Sequence, residues 1–210
     1  MASNKYEEDL SEIRNLMNRS SRFLSLSGLS GILAGVYALA GAGIAAWRIR
    51  AFNETHTLAD IIEYPFRDEN QLVAELFLIA MGVLGLALLT ALLLSRQKAR
   101  KTGEKIWSAS TRRLLENFFI PLLAGGLFCL ALLQYGFVAL IGPATLVFYG
   151  LACLNAGKYT LGDIRYLGLT CIVLGLFATQ FPGYALIFWA LGFGLCHILY
   201  GGIMYYKYEK

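Results

Sequence analysis

The chain is dominated by apolar runs separated by short polar segments. Six stretches read as spans: about Phe23–Trp47, Leu72–Ser95, Phe118–Leu140, Pro143–Ala156, Tyr166–Phe181 and Tyr184–Tyr206. A helix needs ~20 residues to cross ~30 Å of hydrocarbon. The first, second, third and sixth stretches meet that length. The fourth and fifth are short and borrow flanking residues such as Tyr159 and Leu161. Lipid offers backbone groups no hydrogen-bonding partners, so every span is predicted to be helical. Alternating ten-residue strands are absent, which argues against a barrel. The expected fold is an all-α polytopic membrane bundle, with six transmembrane helices arranged as three in–out–in hairpins. Residues 1–22 form a cytoplasmic amphipathic segment, 23–206 the membrane domain and 207–210 a short tail.

Composition strengthens this reading. Hydrophobic residues are 57% and charged residues 15% of the 210, and mean hydropathy is +0.57. Soluble domains carry about 45–50% and about 25%. The first apolar run is too long for a signal-peptide core of ~7–15 residues and follows a segment with four acids, so it is expected to be a retained span.

Charge sets the expected orientation. Most Lys and Arg fall in segments that would share one side: the N-terminal segment, Arg96–Asn117, Lys158, Arg165 and the tail. Arg48, Arg50 and Arg67 fall on the other. The positive-inside rule then places both termini in the cytoplasm of a bacterial inner membrane. The net charge of +4 is accounted for by this distribution. Base-stacking aromatics are sparse in the basic loop apart from Trp107, which argues against nucleic acid.

The polar segments carry further expectations. In residues 5–20, Tyr6, Leu10, Ile13, Leu16 and Met17 recur at helical spacing, with acids early and bases late, as an interfacial or docking helix would have. Thr57 to Asp60 has the form of a capping box with Asp for Glu, and Pro65 ends the short helix it would start. Arg96, Lys98, Arg100, Lys101, Lys105, Arg112 and Arg113 form a basic cluster next to a span. Topogenic charge explains it; contact with anionic lipid headgroups or an acidic cytoplasmic partner would use the same residues.

Small residues punctuate the spans. Gly31-x-x-x-Gly35 has the form of a helix-pairing motif, serving packing within the chain or a homo-oligomer. Residues 126–150 align with 168–192 at an offset of 42: Gly126 on Gly168, Cys129 on Cys171 and Gly150 on Gly192. The same offset places Asn155 on His197.

Chemistry is scarce. There is no P-loop, no G-x-S-x-G and no H-E-x-x-H. The intramembrane polar candidates are Glu75, Gln134, Asn155 and His197. Glu75 lies one turn inside the second span, within reach of Arg48, Arg50 or Arg67. Cys129, Cys153, Cys171 and Cys196 form no C-x-x-C pair and read as apolar packing residues, so neither metal nor other cofactor is expected. The leading expectation is a non-enzymatic sensor, scaffold or stress-related regulator. A small transporter or channel is the second, and a membrane enzyme with a metal or redox site near His197 the third.

Gly168-Leu-Thr-Cys-Ile-Val-Leu-Gly175, Phe181-Pro-Gly183, Trp189-Ala-Leu-Gly192 and Tyr200-Gly-Gly-Ile203 together resemble a hairpin of the HdeD-like short-repeat membrane family. The likeness covers about residues 166–206 and weakly 120–157; the first hairpin departs from it because its turn is a long loop. The whole chain also resembles uncharacterised bacterial six-span proteins. The resemblance implies a bacterial inner membrane and an association with acid stress.

Overall fold

The computed structural model describes residues 27–55, 67–103 and 107–210. The amphipathic pattern of residues 5–20, the Thr57 capping box and Lys105 lie outside them. All the regular structure described is helical. The helices are α1 (Gly28–Thr55), α2 (Arg67–Thr102), α3 (Ala109–Gln134), α4 (Ile141–Ala156), α5 (Ile164–Gln180) and α6 (Pro182–Tyr208). Five are long and apolar enough to cross a membrane, counting the short 3-10 turn Val138–Leu140 with α4. Helix α5 is apolar and shorter, at 17 residues.

Many large apolar side chains of the described residues lie on the exterior. Leu78 is 68% exposed, Leu92 63%, Ile120 68% and Leu127 69%. Patches of this extent mark contact with another apolar phase. The buried centre is small: Leu146, Leu167 and Cys171, surrounded by Tyr149, Leu174, Phe188, Phe193, Cys196 and Tyr200.

Helix α2 packs on α1, α1 on α6, α6 on α4 and α5, and α4 on both α5 and α3. Two joints rely on backbone proximity. A Cβ on Gly31 would lie 3.1 Å from the Cα of Gly201, and one on Gly35 2.6 Å from the Gly194 carbonyl oxygen. Between α4 and α5, a Cβ on Gly150 would lie 2.5 Å from the Gly168 carbonyl oxygen. Small residues allow this close approach of two backbones. The Gly31-x-x-x-Gly35 motif therefore packs on α6 of the same chain.

Two helix ends differ from the apolar pattern. The run expected to continue to Leu140 stops at Gln134. Gly136 has φ +76°, its N–H donates to Leu133 O, and Phe137 N–H donates to Leu132 O. This is a Schellman closure, for which glycine is the favoured residue. Helix α2 runs past Ser95, so Arg96, Lys98, Arg100 and Lys101 lie on helix rather than loop. Arg, Gln, Lys and Ala are good helix formers, and bases suit a helix C-terminus. The helical stretch ends before Gly103, at φ +69°. Helix α3 then starts from Ser108, whose hydroxyl accepts from the Thr111 N–H at 3.2 Å.

Candidate functional site

The candidate polar residues occupy separate joints of the bundle. Glu75 sits on α2 against α1. Arg48 donates to its Oε2 through both Nε (2.8 Å) and Nη2 (2.6 Å), and Gln71 donates to Oε1 at 3.4 Å. Arg48 also lies over the Trp47 ring, 5.6 Å from its centroid. Of the three arginines within sequence reach, Arg48 pairs with it. Farther along the same joint, the Tyr37 and Thr90 hydroxyls meet at 3.3 Å.

His197 is buried on α6, two residues beyond a π turn spanning Ala190–Leu195. Its Nδ1 lies 2.9 Å from the Gly192 carbonyl oxygen, and its Nε2 lies 2.7 Å from the Tyr149 hydroxyl on α4. A carbonyl only accepts, so Nδ1 carries the hydrogen. In the neutral ring Nε2 is then an acceptor and Tyr149 its donor. Both ring nitrogens are thereby satisfied inside the protein. The imidazole lies between aromatic rings, with Phe193 stacked at 5.8 Å and Tyr149 tilted at 5.2 Å. Phe118 of α3 closes on Tyr149 edge-on at 6.1 Å.

Two cysteines neighbour this ring cluster. Cys153 and Cys171 are fully buried, and Cys171 Sγ lies 4.0 Å from the same Gly192 carbonyl oxygen. Among the described residues, no group of three or more His, Cys, Asp or Glu is placed to hold a metal. The Tyr200 hydroxyl is buried beside this cluster with no hydrogen-bond partner among them.

Asn155 and His197, which the 42-residue offset pairs, share no hydrogen bond. Asn155 is half-buried near the end of α4, and the ring of His197 bonds to Tyr149 and Gly192 instead. Gln134 is exposed at the end of α3.

Sequence reasoning missed a clamp made by the end of α6 and the residue that follows it, Glu209. Glu209 Oε1 accepts from the Gly28 N–H at 2.6 Å and from Lys98 Nζ at 3.2 Å; its Oε2 accepts from Ser27 Oγ at 3.4 Å. The carboxylate thus caps the positive end of α1 and pairs with α2. Two residues earlier, Lys207 Nζ (2.8 Å) and the Tyr208 hydroxyl (2.9 Å) both donate to Asp163 Oδ2, between α4 and α5. The Lys207 ammonium holds the Asp163 carboxyl below its usual range, and Asp163 in turn raises Lys207. Lys98, expected to face lipid or a partner, is engaged within the chain.

The clamp shows which helix ends lie together: the start of α1, the ends of α2 and α6, and the turn from α4 to α5. Arg96, Arg100, Lys101, Arg113, Lys158 and Arg165 are exposed at this end. Arg112 pairs with Glu116 one turn on, at 2.7 Å. Arg48, Arg50 and Arg67 lie toward the opposite end. No family model, curated protein or solved structure matches the chain. The HdeD-like resemblance rests on its motifs alone.

Proposed function

We propose that the chain is a six-span protein of a bacterial inner membrane, with both termini in the cytoplasm, and that it acts as a non-enzymatic scaffold or sensor. The short α5 crosses as the fifth span, at about 26 Å for 17 residues. The gathering of bases at one end supports the orientation. The function rests on one observation: the polar side chains within the helices end on separate partners and do not converge. Glu75 meets Arg48 between α1 and α2, while His197 meets Tyr149 and Gly192 between α4 and α6. A conduit or catalytic centre needs such groups in one place. The basic end of the bundle offers its surface to acidic partners.

Single cysteines at Lys101 and Glu54, in a background lacking the native cysteines, test the topology through impermeant thiol labelling of intact cells. Label is expected at Glu54 only; label at Lys101 overturns the orientation. Glu75→Gln tests the function. A glutamine Oε1 still accepts from Arg48, so the variant is expected to fold and to complement a deletion strain under acid and envelope stress. A well-folded variant that fails to complement would instead support a transporter with Glu75 on its path.

A further inference from the structure

At the basic end, residues 103–108 join two helices that do not pack on one another along their lengths: α2 rests on α1 and α3 rests on α4. Each carries an exposed stripe that is basic near the connection and apolar beyond it. On α2, Leu89, Leu92, Leu93, Arg96 and Arg100 recur at three- and four-residue spacing, and all are exposed. On α3, Arg113, Ile120 and Leu127 recur at seven, again exposed. Among the described residues, Arg96, Arg100, Lys101 and Arg113 form no ion pair, whereas Lys98 and Arg112 do.

We propose that the joined ends of α2 and α3 bind one anionic glycerophospholipid, its phosphate held by Arg96, Arg100, Lys101 and Arg113 and its acyl chains lying along the two uncovered stripes. Charge complementarity selects this occupant. A stripe that is cationic for one turn and apolar for the next two matches a molecule that is anionic at its head and apolar below. A second copy of the chain would bring the same bases against their like. Arginine forks suit phosphate oxygens, and bases beside a membrane attract acidic headgroups. Trp107, 71% exposed in the connection, belongs at that interface. This inference rests on the membrane reading above, with this end cytoplasmic.

The test uses the full chain purified in detergent and measures, by native mass spectrometry, retention of dioleoyl phosphatidylglycerol against dioleoyl phosphatidylcholine. One phosphatidylglycerol per chain is expected to survive where phosphatidylcholine is lost. The variant R96Q/R100Q/K101Q/R113Q should bind it on the order of tenfold more weakly, with helicity by circular dichroism unchanged. The Lys-for-Arg variant R96K/R100K/R113K keeps the charge and should retain most of the binding. If the glutamine variant does not fold, the single changes R100Q and R113Q are expected to weaken binding in proportion. Equal retention of the two lipids, an unchanged glutamine variant, or a dimer that forms without lipid and hides the stripes would each overturn the proposal. Failure of the membrane reading shows separately, as protein released from membranes by alkaline carbonate.

Discussion

The Tyr149 hydroxyl donates to Nε2 of His197 across the joint between α4 and α6, and the carbonyl of Gly192 holds the other ring nitrogen. The histidine is thus fixed in one tautomer by two elements, one of them a π turn that aims a carbonyl at it. Tyr149→Phe removes the donor and leaves a buried acceptor unpaired. It should destabilise the protein by about 1 kcal/mol, the scale of interhelical hydrogen bonds in lipid. Unfolding in mixed micelles of increasing denaturing detergent measures this; unchanged stability would show the contact to be incidental.

Glycine positions should divide sharply. A Cβ on Gly201 meets the backbone of Gly28, Gly31 and Ile32, whereas one on Gly85 meets nothing within 4 Å. Gly201→Ala should therefore cost about 1–3 kcal/mol through overpacking. Gly85→Ala should be neutral or stabilise the helix by up to about 1 kcal/mol. The two variants compared in the same unfolding assay check the α1–α6 joint; similar behaviour would mean that this joint is not so close.

Glu209 caps α1 from 181 residues away along the chain. Glu209→Ala should lower stability by about 1 kcal/mol, as loss of a helix cap does. Lys98→Met alone removes one of the donors to the carboxylate and should have a smaller effect. Hydrogen exchange at the Gly28 amide reads the cap directly: it should quicken in Glu209→Ala and stay slow in Lys98→Met. Equal protection in wild type and Glu209→Ala would argue against the clamp.

The Asp163–Lys207 pair predicts an acid-side pH dependence. The folded Asp163 carboxyl titrates below its ordinary value of 3.8, chiefly because Lys207 donates to it. Its contribution is complete above that ordinary value and fades as the pH falls through the lower folded value. Lys207 titrates higher in the folded state, so its contribution is lost only in strong alkali. Thermal midpoints between pH 5 and 8 should therefore not vary on account of this pair. Below pH 4 the wild type should lose stability that Asp163→Asn never had, and the two curves should converge. Parallel curves down to pH 2 would exclude the pair as a source of stability.

The sequence by itself determined the helical class, the apolar exterior and the gathering of bases, because run length and composition are local properties that any helix in lipid must satisfy. It also restricted the partner of Glu75 to three arginines, since the two helices adjoin in the chain. The tertiary structure alone decided the rest. That α2 continues through Arg96–Thr102 and α3 stops at Gln134 depends on where glycine takes a left-handed conformation. That Tyr149 rather than Asn155 meets His197 depends on the depth and rotation at which α4 and α6 pack. The Glu209 clamp joins residues from opposite ends of the chain, and no periodicity carries that information. Depth and rotation are set where glycines such as Gly31 and Gly201 let two backbones touch, and that contact belongs to a pair of helices rather than to either sequence alone.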